Sequence, residues 1–219
     1  LVTTLLAEGY LEPAPQGAGY VLPERLRGGW IDGPVGALVR AAVPEMERLR
    51  DALQETVILG IPTPGLDVRI VAHRLSPLAV RFDVSRDPIL PGWATAMGHA
   101  MLSRLPEGEV RAYLARCDRR PLTRRTATDV EEIMERLARA RARGCALNID
   151  ERIEGASGAA APILDLSGRP RAALNLVTLT PRFRGREREI LQALTAAARS
   201  IGEAAFGRPA SAPEAAAGD

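Results

Sequence analysis

Between residues 128 and 179 the spacing of apolar residues changes from a helical to a strand period and stays there. This limits the chain to architectures in which helices pack on a sheet. Val130, Ile133, Met134, Leu137 and Ala140 share one helical face. Thr128 and Glu131 have the spacing of a capping box, and Gly144 is placed to end the helix. A strand over residues 145–149 follows at once. The run of Gly, Ala and Ser at 155–159 reads as a loop, 161–166 as a strand, Ser167-Gly168-Arg169 as a turn and 172–179 as a long strand. Connections of hairpin length imply a mostly antiparallel sheet with helices on its faces, an α/β (α+β) class.

The same reading extends towards the start. Residues 1–7 are the end of a helix stopped by Gly9, with Leu1, Leu5 and Leu6 on one face. Short strands at Tyr10-Leu11 and Tyr20-Val21-Leu22 flank a turn-forming run. A helix feeding a two-stranded hairpin is the last part of a winged helix-turn-helix. Residues 34–55 keep a helical period through Val35, Leu38, Ala42, Met46, Leu49 and Leu53, and Pro44 predicts a kink or break. Strands are predicted over 56–61, 67–73 and 79–84, and helices over about 94–105, 107–116 and 185–205. The domain plan is therefore a partial winged helix-turn-helix at 1–29, a linker helix at 30–55, a sheet-and-helix domain at 56–206 and a disordered tail at 207–219.

Composition removes several function classes. The formal net charge of +2 argues against a large nucleic-acid surface on this chain alone, although all 29 basic residues are arginine. No apolar run approaches the ~18 residues of a membrane span, and no leader is seen, so a bacterial cytoplasmic location and no membrane partner are expected. Cys117, Cys145, His73 and His99 lack metal-site spacing, and neither metal nor cofactor is expected. No nucleophile elbow, zinc-protease, P-loop or dinucleotide motif is present. The adjacent carboxylates Glu131-Glu132 and Asp150-Glu151 point apart on a helix or strand, and Ser157 has no histidine near it in sequence. The chain does not read as an enzyme.

Two asparagines stand out. Asn175 shares a strand face with Ala173 and Val177, and Asn148 shares one with Ala146. A buried amide without partners costs about 1–3 kcal/mol, so each needs protein, water or ligand. Ala94, Thr95, Ala96 and Gly98 leave the N–H groups at the start of their helix open to approach by a carboxylate. Together with the small residues at 155–161, these features describe a pocket for a small organic anion.

The order of these segments resembles a family. GWATAMGHAMLSRL at residues 92–105, RGCALNIDERIEGASGAAAPILDLSGRPRAALN at 143–175 and LVTTLLAEGYLEPAPQGAGYVL at 1–22 are similar to the corresponding blocks of IclR-type bacterial transcriptional regulators. PLTRRTATD at 121–129 and AALNLVTLT at 172–180 look most like the branch that controls aromatic-acid degradation through the β-ketoadipate pathway. The resemblance implies a GAF/PAS-like effector domain behind a winged helix-turn-helix, in a homodimer or homotetramer. It also implies an effector site at Ala96, Met97, Asn148, Gly158, Asn175 and Val177, and DNA contacts at Thr3 and Thr4. Members that take small 2-oxo acids carry an acid, a cysteine and serines near these positions. Amides, glycine and valine here imply a roomier, less ionic pocket suited to an aromatic carboxylate.

The function this implies is an effector-responsive DNA-binding regulator sensing a small organic acid, with operator DNA as partner if the N-terminal domain is complete. As written, the chain keeps only the end of the recognition helix and the wing, and is expected to bind operator DNA poorly unless the protein is longer. The alternative is a stand-alone ligand-binding or dimerisation module. A small hydrolase would require Ser157 to act as nucleophile.

Overall fold

Six separate stretches assemble into one sheet in the computed structural model, which describes residues 2–14, 17, 19–23, 33–83 and 89–207. The chain divides into two units, Leu1–Ala41 and Ala42–Asp219.

In the first unit, helix α1 (Val2–Ala7) carries Thr3 and Thr4 on exposed positions and gives way at Gly9 to left-handed backbone, φ +70°. The first strand is not Tyr10-Leu11. Both of those N–H groups donate to the Leu5 carbonyl, at 2.7 and 3.1 Å, and so satisfy the helix end. Pairing starts two residues later, where β1 (Glu12–Pro13) meets β2 (Tyr20–Val21) with Glu12 opposite Val21. Leu1, Pro15, Gln16 and Ala18 of the expected helix end and turn lie outside the described residues. So do the remainder of the expected 1–29 segment after Pro23, the start of the linker, Val84 and the tail beyond Gly207.

Helix α2 (Pro34–Leu53) runs through Pro44 unbroken. Pro44 sits on the exposed face, while Ala42, Met46, Leu49 and Leu53 are buried; that packing holds the helix across the hydrogen bond the proline lacks.

The sheet of the second unit contains β3 (Thr56–Pro62), β4 (Val68–Arg74), β5 (Ile89–Leu90), β6 (Ala146–Ile149), β7 (Ala156–Leu164) and β8 (Pro170–Leu179). Its order is β5-β4-β3-β8-β7-β6, and every neighbouring pair is antiparallel. One face is covered by α3 (Ala96–Leu102), with α5 (Val130–Arg143) beside it. There Ile58, Ala146, Ala160 and Ala173 pack with Met97, Ala100 and Met101. By alternation Leu59, Ile163, Leu174 and Leu176 point to the other face, where α7 (Glu187–Phe206) packs on β7 and β8. Helix α4 (Glu107–Arg116) and the one-turn α6 (Thr180–Phe183) complete the unit.

Three further expectations change. Residues 79–83 form no strand: their carbonyls are taken by side chains, Val80 O by Arg182 at 3.0 Å and Phe82 O by Thr56 Oγ1 at 2.9 Å, and β5 pairs with β4 instead. Of the presumed loop at 155–159, only Gly155 stays in a turn, and from Ala156 on it is the start of β7. Small residues suit a central strand with helices close on both faces. At Gly158 a Cβ would lie 2.4 Å from the Leu176 carbonyl oxygen. Finally, the N-cap of α5 is Asp129, not Thr128: its side chain accepts from Glu132 N at 3.0 Å. Gly144 ends that helix at φ +80°, as its position in the sequence implies.

Candidate functional site

The site is built around the start of α3. A 3-10 turn, Gly92–Ala94, leads into it, and the turn is fixed from outside. Asp67 Oδ1 accepts from Gly92 N at 3.0 Å and from the Tyr113 hydroxyl at 2.9 Å, while that hydroxyl accepts from Trp93 N at 3.0 Å. The His99 ring lies 2.6 Å from the Trp93 carbonyl through Nε2. A carbonyl only accepts, so Nε2 carries the hydrogen. Burial pushes the His99 pKa down to about 4, against the opposing pull of that bond, so the imidazole is neutral. Gly98 is obligatory, since a Cβ there would lie 1.9 Å from the Gly92 oxygen. Thr95 caps the helix by accepting from Gly98 N at 3.1 Å, and among the described residues the N–H groups of Ala96 and Met97 have no partner.

Between this helix start and the sheet lies a cavity of about 200 Å³. All six residues expected at the effector site, Ala96, Met97, Asn148, Gly158, Asn175 and Val177, line it. The register explains why. Asn148 stands opposite Gly158, which stands opposite Val177, and Asn175 stands between Ala160 and Ile58 one step along. Directly opposed residues share a face.

The two amides differ. Asn148 is tied down, its Nδ2 donating to the Ala94 carbonyl at 3.1 Å and its Oδ1 accepting from Glu151 N at 3.3 Å. It links β6 to the turn before α3. Asn175 is 7% exposed, faces the cavity, and has no hydrogen-bond partner among the described residues.

Several walls escaped the sequence reading. Ile58 and Ile70 were detectable as inward strand positions, but nothing local marks Phe82, Asp83, Arg152 and Ile153, which loops bring to the cavity. Ser157 also lines it from β7, not from a loop. Its hydroxyl pairs with Thr180 at 2.8 Å, and Thr180 donates to Asp150, so the serine engages no histidine. Asp150 and Glu151 do part: Asp150 accepts from Gly155 N at 3.0 Å, whereas Glu151 pairs with Arg136. Burial pushes the Glu151 carboxyl up despite the Arg136 charge. Cys145 is buried with its sulfur 3.0 Å from Thr195 Oγ1. Among the described residues no three His, Cys, Asp or Glu side chains form a metal cluster, and no helix is long and apolar enough to cross a membrane.

Size and polarity decide what such a cavity can hold. It exceeds the ~150 Å³ apolar cavity that admits benzene, so one substituted ring fits. The apolar walls Ile58, Ile70, Leu90 and Val177 suit the ring, and Asn175 and the N–H groups of Ala96 and Met97 suit polar substituents.

Comparisons with known proteins agree with this architecture. The C-terminal domain of the E. coli transcriptional regulator KdgR superposes with a TM-score of 0.69 at 27% identity, covering 78% of this chain and 99% of that domain. An IclR homolog complexed with 4-hydroxybenzoate from Microbacterium hydrocarbonoxydans superposes with a TM-score of 0.72 at 26% identity, covering 93% of this chain and 82% of that one. The Pca regulon regulatory protein of Pseudomonas putida is 31% identical over 173 residues, which are 78% of this chain and 59% of the relative's length. The family model for the bacterial transcriptional regulator IclR C-terminal domain matches residues 36–203. This α/β chain, with its antiparallel sheet flanked by helices, therefore belongs to the IclR family of transcriptional regulators, not to an enzyme family.

Proposed function

We propose that the chain is the sensing part of a DNA-binding regulator and that its effector is a small aromatic carboxylate. The observation that carries this reading is Asn175, an amide without a hydrogen-bond partner among the described residues, inside an otherwise largely apolar cavity sized for one ring. A ligand can bond this amide through a polar group while its ring packs on the apolar walls. In this reading Ala96 and Met97 present N–H groups to the acid, Asn175 bonds a polar ring substituent, and Val177 and Ile58 pack on the ring. Asn148 and Gly158 shape the wall. The bound 4-hydroxybenzoate of the Microbacterium homolog supports this ligand class.

Thr3 and Thr4, exposed on α1, are the proposed DNA-facing residues. The regulator would act as a homodimer or homotetramer on operator DNA. An effector shifts the balance between two subunit arrangements only by its difference in affinity for them. Calorimetric titration with 4-hydroxybenzoate, benzoate and glyoxylate tests the ligand class. Saturable binding of an aromatic acid, with glyoxylate weaker, is expected. A folded chain that binds no aromatic carboxylate would sink the proposal.

A further inference from the structure

Phe82 is the one aromatic residue among the described residues lining the cavity, and no helix or strand carries it. Residues 75–83 take their shape instead from side chains that reach them from β3 and α6. Thr56, the first residue of β3 and fully buried, accepts from Ser76 N at 3.1 Å and donates through Oγ1 to the Phe82 carbonyl at 2.9 Å. Ser76, also buried, donates through Oγ to the Gln54 carbonyl at 2.6 Å and accepts from Leu78 N at 3.2 Å. Arg182 of α6 grips both carboxylate oxygens of buried Glu55, at 2.7 and 3.0 Å, and its Nη1 donates to the Val80 carbonyl at 3.0 Å. Thr56 stands opposite Val177, two residues from Ile58 on the same face of β3. Its bond to the Phe82 carbonyl therefore ties Phe82 to the strand pair that supplies the Ile58 and Val177 walls.

We propose that Phe82 is the residue by which the cavity prefers an aromatic ring to a saturated one, and that Thr56 positions it. This rests on the aromatic-carboxylate reading above and assigns its ring recognition. The aliphatic walls Ile58, Ile70, Leu90 and Val177 reward an apolar group by the area it buries, so they hold a cyclohexane ring about as well as a benzene ring. An aromatic side chain responds to the ligand's own π-system, whose negative face and positive edge favour offset-stacked or edge-to-face contact. The cavity of about 200 Å³ holds little more than one ring, so a ring that fills it meets each wall, Phe82 included. Such contact is directional and needs a side chain held in one place. A segment with no ladder of its own obtains that from Thr56, Ser76 and Arg182.

The test is calorimetric titration with 4-hydroxybenzoate and with trans-4-hydroxycyclohexanecarboxylate, which carries the same two groups on a saturated ring. Wild type should bind the aromatic acid roughly fivefold or more tightly, within the range of one aromatic pair. Phe82→Leu keeps an apolar wall and should weaken the aromatic acid alone, bringing the two affinities to within about twofold of each other. Phe82→Tyr keeps the ring and should keep the aromatic acid ahead. Thr56→Val keeps the side chain's shape but loses the bond to the Phe82 carbonyl, and should weaken the aromatic acid about threefold with the saturated acid unchanged. The Phe82 variants alter a half-buried side chain outside the sheet, so they decide the proposal even if Thr56→Val does not fold. Equal binding of the two acids by wild type, or an unchanged ratio in Phe82→Leu, overturns the assignment of Phe82. So does a ratio that falls because the saturated acid binds more tightly, which marks added room and not a lost ring contact. An unchanged ratio in Thr56→Val overturns its positioning role. Each of these leaves the ligand class standing, whereas failure of wild type to bind the aromatic acid overturns both.

Discussion

Asn175 and Asn148 share one face of the sheet, but of the two only Asn148 has both ends of its amide hydrogen-bonded among the described residues. Replacing each by leucine should separate the two roles. Asn175→Leu exchanges the cavity-facing amide for an apolar side chain among Ile58, Ala160 and Val177, and should change unfolding stability by less than about 0.5 kcal/mol while abolishing ligand response. Asn148→Leu leaves the Ala94 carbonyl and the Glu151 N–H unpaired, and should lower stability by about 2 kcal/mol. Urea denaturation of both variants checks this, and two losses of equal size would contradict it. The alternation of strand residues made both asparagines legible as inward. It could not tell them apart, because the partner of Asn148 lies 54 residues away. His99 gives a second residue-scale test. Its folded pKa, about 4, lies below the ordinary 6.5, so on acidification the unfolded chain takes up a proton first. Its stabilising contribution is full above pH 6.5 and is lost progressively as pH falls towards 4, reaching a loss of roughly 2 kcal/mol by about pH 5. The His99 ring resonance should stay in its neutral position down to that pH in NMR spectra of the folded chain, and an imidazolium signal at pH 6 would refute the assignment.

Elements were most legible where one period ran long enough to exclude the other. Helix α4 occupies the expected residues, and the stripe and the terminal glycine of α5 hold. The start of α5 shifts by one residue because Thr128 and Asp129 are both competent caps, and only the geometry decides that Asp129 meets Glu132 N. Asp129→Ala should therefore cost about 1 kcal/mol in urea denaturation and Thr128→Ala much less; the reverse order would restore Thr128 as the cap. Strand β7 was misread because its first half, Ala156, Ser157, Gly158, Ala159 and Ala160, offers none of the branched or aromatic side chains that mark strands. It pairs on both sides, with β6 and β8, and that tertiary pairing overrides weak local preference. The segment at 79–83 fails in the opposite sense. Val80 and Phe82 look strand-like, yet Thr56 and Arg182 bind their carbonyls and leave no ladder to join.

At the scale of the molecule, the decisive fact is that β8 lies between β3 and β7. Antiparallel pairing and flanking helices were readable from turn lengths and periods, but this order was not, since nothing local tells β8 to cross back beside β3. The crossing is what brings Asn175 beside Ile58 and lets residues from Ile58 to Val177 enclose one cavity. A ligand there touches β3, β4, β7, β8 and α3 together, so its contacts are shared among most elements of the second unit. Binding should therefore stabilise that unit as a whole, by about 2.7 kcal/mol at a free effector concentration a hundredfold above Kd. Every described lining residue belongs to Ala42–Asp219, and none to Leu1–Ala41. Hydrogen exchange with and without 4-hydroxybenzoate should accordingly slow the β3, β7 and β8 amides by up to about a hundredfold where exchange requires global opening. Exchange in α1, β1 and β2 should stay as it was. Slowing confined to the few amides that touch the ligand would mean that the cavity closes locally, and that the sheet does not carry the effector's binding energy through the unit.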